Sequence, residues 1–168
     1  MFSNIHIVLV NTSHPGNIGS SARAMKVMGF SNLNLVNPKD FPSEQATALA
    51  VGCSDVLEGA KIFSSFKEAL NKNMINIGFT SRHRKASIPN MEIEECVDYI
   101  YHNKNYTYNI IFGNEKSGLS NEELLMCDYI VTLPTHKEYK SINLSAAVQI
   151  FTYELFKKCT NTIFKIES

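Results

Sequence analysis

The chain has 168 residues, 44% hydrophobic and 19% charged, which is enough for one domain with a sizeable core and too apolar for a disordered chain. Sixteen basic residues balance sixteen acidic ones, so a generally basic nucleic-acid coat is excluded while a local basic patch is not.

The apolar run 5–10 reads as a buried strand. It is too short for a signal-peptide core or a membrane span, so a cytoplasmic protein is expected. Residues 11–19 are rich in turn formers and read as a loop, followed by a helix over 20–28 that Gly29 closes. A strand at 33–36, a helix at 44–51, a short strand at 60–63 and a helix at 66–70 come next. The strand 74–79 opens into the basic segment Arg82-His83-Arg84-Lys85. A helix over 92–101 turns Ile93, Val97 and Ile100 inward and leads to a strand at 108–112. The helix at 121–127 starts with Ser120 and Glu123 at capping-box spacing. The run Ile130 to Leu133 is stopped by Pro134; after a polar loop, Asn143 caps a helix whose Leu144, Val148, Phe151 and Leu155 share one face.

Strands alternating with helices predict a single α/β domain, a mostly parallel sheet flanked by helices on both faces. In such folds ligands sit where the carboxyl ends of strands meet the amino ends of helices. Three loops with unusual polar content fall there, at 11–23, 113–118 and 136–145. Taken singly, each is explained as surface connection. Gly16-Asn17-Ile18-Gly19 matches the clamp of a KH module only superficially and lacks dinucleotide-fold spacing; Gly113 to Gly118 frames a phosphate loop but places Leu119 where the lysine is required.

The four cysteines (Cys53, Cys96, Cys127, Cys159) are widely spaced with no histidine at ligand distance, so free thiols are expected and no metal. Ala22, Met25 and Met28 read as the core face of a helix, and Val148, Phe151 and Leu155 as core or a subunit contact. The cluster Arg82, Arg84 and Lys85 ordinarily means a solvated loop, with phosphate binding as the alternative.

Taken in order, Asn17-x-Gly19-x-x-x-Arg23, Ile110-Ile111-Phe112-Gly113-Asn114-Glu115-Lys116-Ser117-Gly118-Leu119 and Ser141-Ile142-Asn143-Leu144-Ser145 resemble the SpoU family of RNA ribose methyltransferases, within the SPOUT superfamily. The first segment, from Val8 to Gly19, and Leu33-Asn34-Leu35-Val36-Asn37-Pro38 look like its TrmJ-type branch. The similarity covers nearly the whole chain.

The resemblance implies a homodimer with a C-terminal trefoil knot and S-adenosylmethionine-dependent 2′-O-methylation of an RNA ribose, releasing S-adenosylhomocysteine. The implied target is the cytidine or uridine at position 32 of the tRNA anticodon loop. Another tRNA or rRNA ribose, or a non-catalytic RNA-binding module, is the alternative.

Carried over by position, the cofactor pocket uses Thr80, Ser81, Arg82, Gly113, Leu133, Lys140, Ser141 and Ile142. Arg23, Asn17, Ser141 and Asn143 are the implied catalytic residues, Arg23 also meets RNA with Arg82, Arg84 and Lys85, and Glu115 holds its loop. Guanidinium is a poor base, so two roles stay open for Arg23: proton acceptor of perturbed pKa, or fixed cation beside the developing oxyanion. The chain stops at Ser168, short of the carboxyl-terminal extension of longer relatives; a single domain over 1–168 is expected, either cut from a longer protein or managing without it.

Overall fold

Continuous apolar runs form strands that are covered on both faces. The computed structural model describes residues 1–71, 73–81 and 87–167, with side chains as far as 160. The chain lays down β1 (Ile5–Val10), α1 (Pro15–Val27), β2 (Asn32–Val36), α2 (Glu44–Ala50), α3 (Ser54–Glu58), β3 (Lys61–Phe63) and α4 (Phe66–Ala69). It continues through β4 (Met74–Thr80), β5 (Asn90–Met91), α5 (Ile93–His102), β6 (Thr107–Phe112), α6 (Asn121–Leu125), β7 (Tyr129–Thr132) and α7 (Leu144–Glu167).

Among the described residues the strands form one seven-stranded sheet of order β3-β2-β1-β6-β4-β7-β5, every neighbouring pair parallel. Two late strands are inserted between earlier ones: β6 between β1 and β4, and β7 between β4 and β5. That order accommodates the expected trefoil knot.

Alternation along each strand divides the core. Ile5, Ile7 and Leu9 of β1 with Tyr108, Ile110 and Phe112 of β6 face the larger cluster, which takes in α1, α2, α3, α5 and α7. Val8, Val10 and Ile111 face the smaller one, closed by Phe66, Ala69, Leu119 and Leu124. Helices therefore cover both faces, unequally. Phe151 of α7 is fully buried between the rings of Phe30 and Phe79, which locks the last helix over the sheet. Burial of one such ring contributes roughly 1.5–3 kcal/mol. The register of β7 beside β4 is pinned by Asp128, whose carboxylate accepts the Asn76 backbone N–H at 2.8 Å while its own N–H donates to the Asn76 backbone carbonyl at 2.7 Å.

One expectation needs correction. The first helix starts at Pro15, not Ser20, so Gly16, Asn17 and Gly19 are helical and the loop is only residues 11–14. Proline suits the first helical position because its missing N–H is one that a helix start leaves unbonded in any case. The expected core faces hold: Ala22, Met25, Val148, Phe151 and Leu155 are each 0% exposed within the chain and Met28 is half-buried against the core, which resolves the α7 stripe as core and not subunit contact. Neither α3 nor β5 was expected; both are short, and β5 is specified by pairing with Ile130 and Val131 more than by its own residues. Gly29 closes α1 at φ 83°, and the Ser120–Glu123 capping box is present. All four cysteines are free; burial pushes the Cys96 and Cys127 thiols up to about 12.

Candidate functional site at the carboxyl edge of the sheet

Because every strand runs the same way, the chain leaves β1, β4, β6 and β7 at one edge, and the three polar loops meet there. Asn11 turns the chain out of β1 at φ 54°, a left-handed conformation that asparagine tolerates. Its carbonyl accepts the Asn114 amide at 2.7 Å and its side-chain oxygen accepts the Asn37 amide at 3.1 Å, tying β1, β2 and β6 together at their ends.

The loop after β6 folds back on itself. Asn114 Oδ1 accepts from the backbone N–H groups of Lys116 at 2.9 Å and Ser117 at 3.2 Å, and the Gly118 N–H donates to the Asn114 carbonyl at 2.8 Å. Gly118 has φ 65°, and a Cβ on Gly113 would collide with the Gly118 and Leu119 backbone, so both positions require glycine.

Glu115 projects from this loop to the start of α1. One carboxylate oxygen accepts the Ser13 N–H at 3.0 Å; the other accepts the His14 N–H at 2.9 Å, the Asn17 amide at 3.1 Å and the Ser13 hydroxyl at 3.2 Å. Residues just before a helix lack intrahelical partners for these amides, and a carboxylate there also meets the positive end of the helix. Burial opposes ionisation of Glu115, and the bonds from the Ser13 and Glu115 amides, the Asn17 side chain and the His14 amide outweigh it, holding the carboxyl below its ordinary value.

Between the loop after β6 and the loop after β7 lies a cavity of about 440 Å³. Its inner lining includes Phe79, Phe112, Leu133 and Leu144, each at most 8% exposed. Its outer lining is polar: Ser81, Lys116, Ser117, Lys137, Glu138, Lys140 and Ser141. An apolar interior with a charged mouth, in the size range of small-molecule sites, suits a ligand with a flat apolar ring system and a charged tail.

Of the expected cofactor positions, Thr80, Ser81, Gly113, Leu133, Lys140, Ser141 and Ile142 all line this cavity; Arg82 lies outside the described residues, as do Arg84 and Lys85. Asn17 reaches the site through Glu115, which lines the cavity. Asn143 stands between two lining residues and caps α7: its Oδ1 accepts the Ser145 N–H at 3.0 Å and hydroxyl at 2.7 Å. Arg23 is exposed on α1, is not part of the lining, and makes no hydrogen bond or ion pair among the described residues. The sequence reading assigned no role to Lys116, which lies within the second motif, or to Lys137 and Glu138, which belong to none; the three become neighbours only through the two loops. No group of three or more His, Cys, Asp or Glu among the described residues could hold a metal ion, and none of their helices is long and apolar enough to cross a membrane.

A parallel sheet with three polar loops gathered around a cavity at its carboxyl edge defines a ligand-binding type of α/β domain. The model of the SpoU rRNA methylase family matches residues 4–153, and the chain belongs to that family. It is 43% identical over 157 residues to the tRNA (cytidine/uridine/adenosine-2'-O-)-methyltransferase TrmJ of Pseudomonas aeruginosa, covering 92% of this chain and 61% of that protein. It is 46% identical over 156 residues to the tRNA (cytidine/uridine-2'-O-)-methyltransferase TrmJ of Photorhabdus laumondii, covering 92% and 65%. The chain thus spans less than two thirds of the length of these relatives. Among solved structures it is similar to a probable methylase family protein of Haemophilus influenzae, with TM-score 0.90 and 42% identity over 96% of this chain and 70% of that one. The SpoU methyltransferase AviRb of Streptomyces viridochromogenes, solved in complex with AdoMet, shares the fold at TM-score 0.73 and 20% identity over 93% and 60%.

Proposed function

We propose that this chain transfers a methyl group from S-adenosylmethionine to a ribose 2′-hydroxyl of tRNA, at a cytidine or uridine of the anticodon loop, as one subunit of a homodimer. The observation that carries the reading is the cavity itself, whose lining brings together expected cofactor positions from three separate strand ends. The names of the relatives support tRNA and the 2′-oxygen. The AdoMet complex of a protein with the same fold supports the donor.

The donor set fits that cofactor. Phe112, Leu133, Ile142 and Leu144 offer an apolar slot for an adenine ring, while Lys116, Lys137, Lys140 and Glu138 offer charges for an amino-acid tail. When bound, S-adenosylmethionine supplies an activated methyl group on a sulfonium. The protein's tasks are to align the attacking oxygen and to manage its proton. Ser141 stands at the cavity mouth, where a ribose hydroxyl would arrive, and the Asn143 cap holds the loop that carries it. Asn17 gives its amide to Glu115, and its side-chain oxygen is the atom left to meet substrate. Glu115, already accepting four hydrogen bonds, is a support and takes no proton. Arg23, on the exposed face of α1 and outside this chain's own cavity lining, supplies from across the dimer a fixed cation that favours loss of the 2′-hydroxyl proton to water and grips an adjacent phosphate.

The dimer is inferred from apolar surface on the two helices that pack together at the domain's side. Val27 of α1 is 64% exposed, and Ile150 and Tyr153 of α7 are 36% and 49% exposed. The reading is tested by transfer of labelled methyl from S-adenosylmethionine to unmodified tRNA transcripts, with nucleoside mapping and Arg23→Ala in parallel. A 2′-O-methylated anticodon-loop pyrimidine, lost in the variant while donor binding persists, is expected. Methyl incorporation into rRNA alone would move the substrate, and donor binding with no transfer to any RNA would leave a non-catalytic module.

A further inference from the structure

In the loop after β7, residues 136–139 form a tight turn: His136 and Tyr139 pair as an antiparallel bridge, the Tyr139 N–H donates to the His136 carbonyl at 3.3 Å, and the Glu138 N–H donates to His136 Nδ1 at 3.3 Å. The turn supports itself, so the side chains on it are presented and not merely tethered. Lys137 and Glu138 before Tyr139, and Lys140 and Ser141 after it, line the cavity. Tyr139 is 76% exposed, more than any other aromatic side chain among the described residues, and makes no ring contact or hydrogen bond through its side chain there.

A single exposed aromatic is unremarkable in itself. Its position is what matters. For a ribose to bring its 2′-oxygen to the cavity, its nucleotide must leave the RNA stack, and the unstacked base then needs a face to lie against. Aromatic side chains provide that face, and the two lysines before and after Tyr139 in the chain, which line the cavity as Tyr139 itself does not, draw the phosphates on either side of the nucleotide, Glu138 offsetting one of them.

We propose that Tyr139 is the platform on which the base of the target nucleotide stacks, a substrate-positioning residue on the turn that borders the methyl-transfer cavity. The inference rests on the ribose-methyltransferase reading and adds to it the way the nucleotide is held. A π-face reads no donor and acceptor pattern, so this platform takes cytosine and uracil alike.

The test compares wild type, Tyr139→Phe and Tyr139→Ala for binding to an anticodon stem-loop RNA, intact or lacking only the target base, with S-adenosylhomocysteine present. Stacking is worth about 1–3 kcal/mol per base, which is roughly 5- to 150-fold in affinity. Tyr139→Ala is expected to weaken binding of intact RNA by that factor, with Tyr139→Phe within about twofold of wild type. Removing the base should cost wild type the same factor and cost Tyr139→Ala almost nothing, the coupling that identifies a direct partner. Cofactor affinity and solution mass should be unchanged. Equal binding by Tyr139→Ala and wild type overturns the platform, as does additive loss from base and side chain. Lost cofactor affinity would make Tyr139 a cover for the cofactor, and a halved mass would make it a subunit contact; each also overturns it. Because the assay reads binding, base-dependent coupling without methyl transfer to any RNA would sustain the platform while removing the enzymatic reading. Absence of RNA binding by wild type would sink both.

Discussion

A carboxylate that accepts from two backbone amides, a side-chain amide and a hydroxyl is committed to its donors, and Glu115 is in that state at neutral pH. Its carboxyl is held below the ordinary 4.5, so its folded-state contribution is present above that value and is lost as pH falls through the lower folded one. Glu115→Gln is therefore expected to lower stability by roughly 1–2 kcal/mol at pH 7, a charge-assisted bond discounted for partial exposure. The gap to wild type should close as pH drops below the unfolded value; a gap independent of pH in thermal melts would refute the ionic clasp. Arg23 poses the opposite case, a charge with no partner among the described residues. If it acts as a fixed cation, Arg23→Lys keeps the charge and loses the two-pronged donor geometry, and should transfer methyl at least about tenfold faster than Arg23→Ala. Equal rates for the two variants would rule out a purely electrostatic role. These residues were legible in the sequence as types at motif spacing, but not as partners: nothing in the order of residues shows that Glu115 reaches Ser13 and Asn17, about a hundred positions earlier.

At the scale of elements, the close approach of α1 to α2 depends on a missing side chain. A Cβ on Gly19 would collide with the Ala46 backbone carbonyl, which cannot rotate away as a side chain could. Alanine would gain up to about 1 kcal/mol of helix propensity over glycine. Overpacking costs about 1–3 kcal/mol, and more against rigid backbone, so the steric term wins. Gly19→Ala should therefore destabilise the chain in urea titrations, and an increase in the unfolding midpoint would show that α2 yields freely. The strands were readable because burial on both faces leaves continuous apolar runs such as Ile5–Val10. The start of α1 was hidden because Pro15, Gly16 and Asn17 are turn formers by composition, and only Pro15 at the first helical position, with Glu115 supplying acceptors from another strand end, makes them a helix. Short β5 was invisible for a related reason: a two-residue strand has no periodicity, and its identity comes from β7 alongside.

For the whole molecule, the same helices that close the core also carry its exposed apolar surface. The inward faces of α1 and α7 are fully buried at Met25, Val148 and Phe151, so association through these two helices uses what remains outside on them: Val27, Ile150 and Tyr153. Isolated exposed apolar residues need no explanation, but three on a pair of packed helices offer apolar surface of the kind that a symmetric dimer buries twice, once from each subunit. The wild-type chain is accordingly expected to run at twice its 18.9 kDa in light scattering at micromolar concentration. Ile150→Lys with Tyr153→Lys should return it to the monomer mass. Since both side chains point away from the core, the variant's far-ultraviolet dichroism should be unchanged, which separates lost association from lost folding. A wild-type monomer would remove the dimer from the proposal, and a dimeric double variant would move the interface to another face. Loss of methyl transfer together with monomerisation, with cofactor affinity intact, would place part of the RNA site across the two subunits, where Arg23 on the exposed face of α1 is available to a partner.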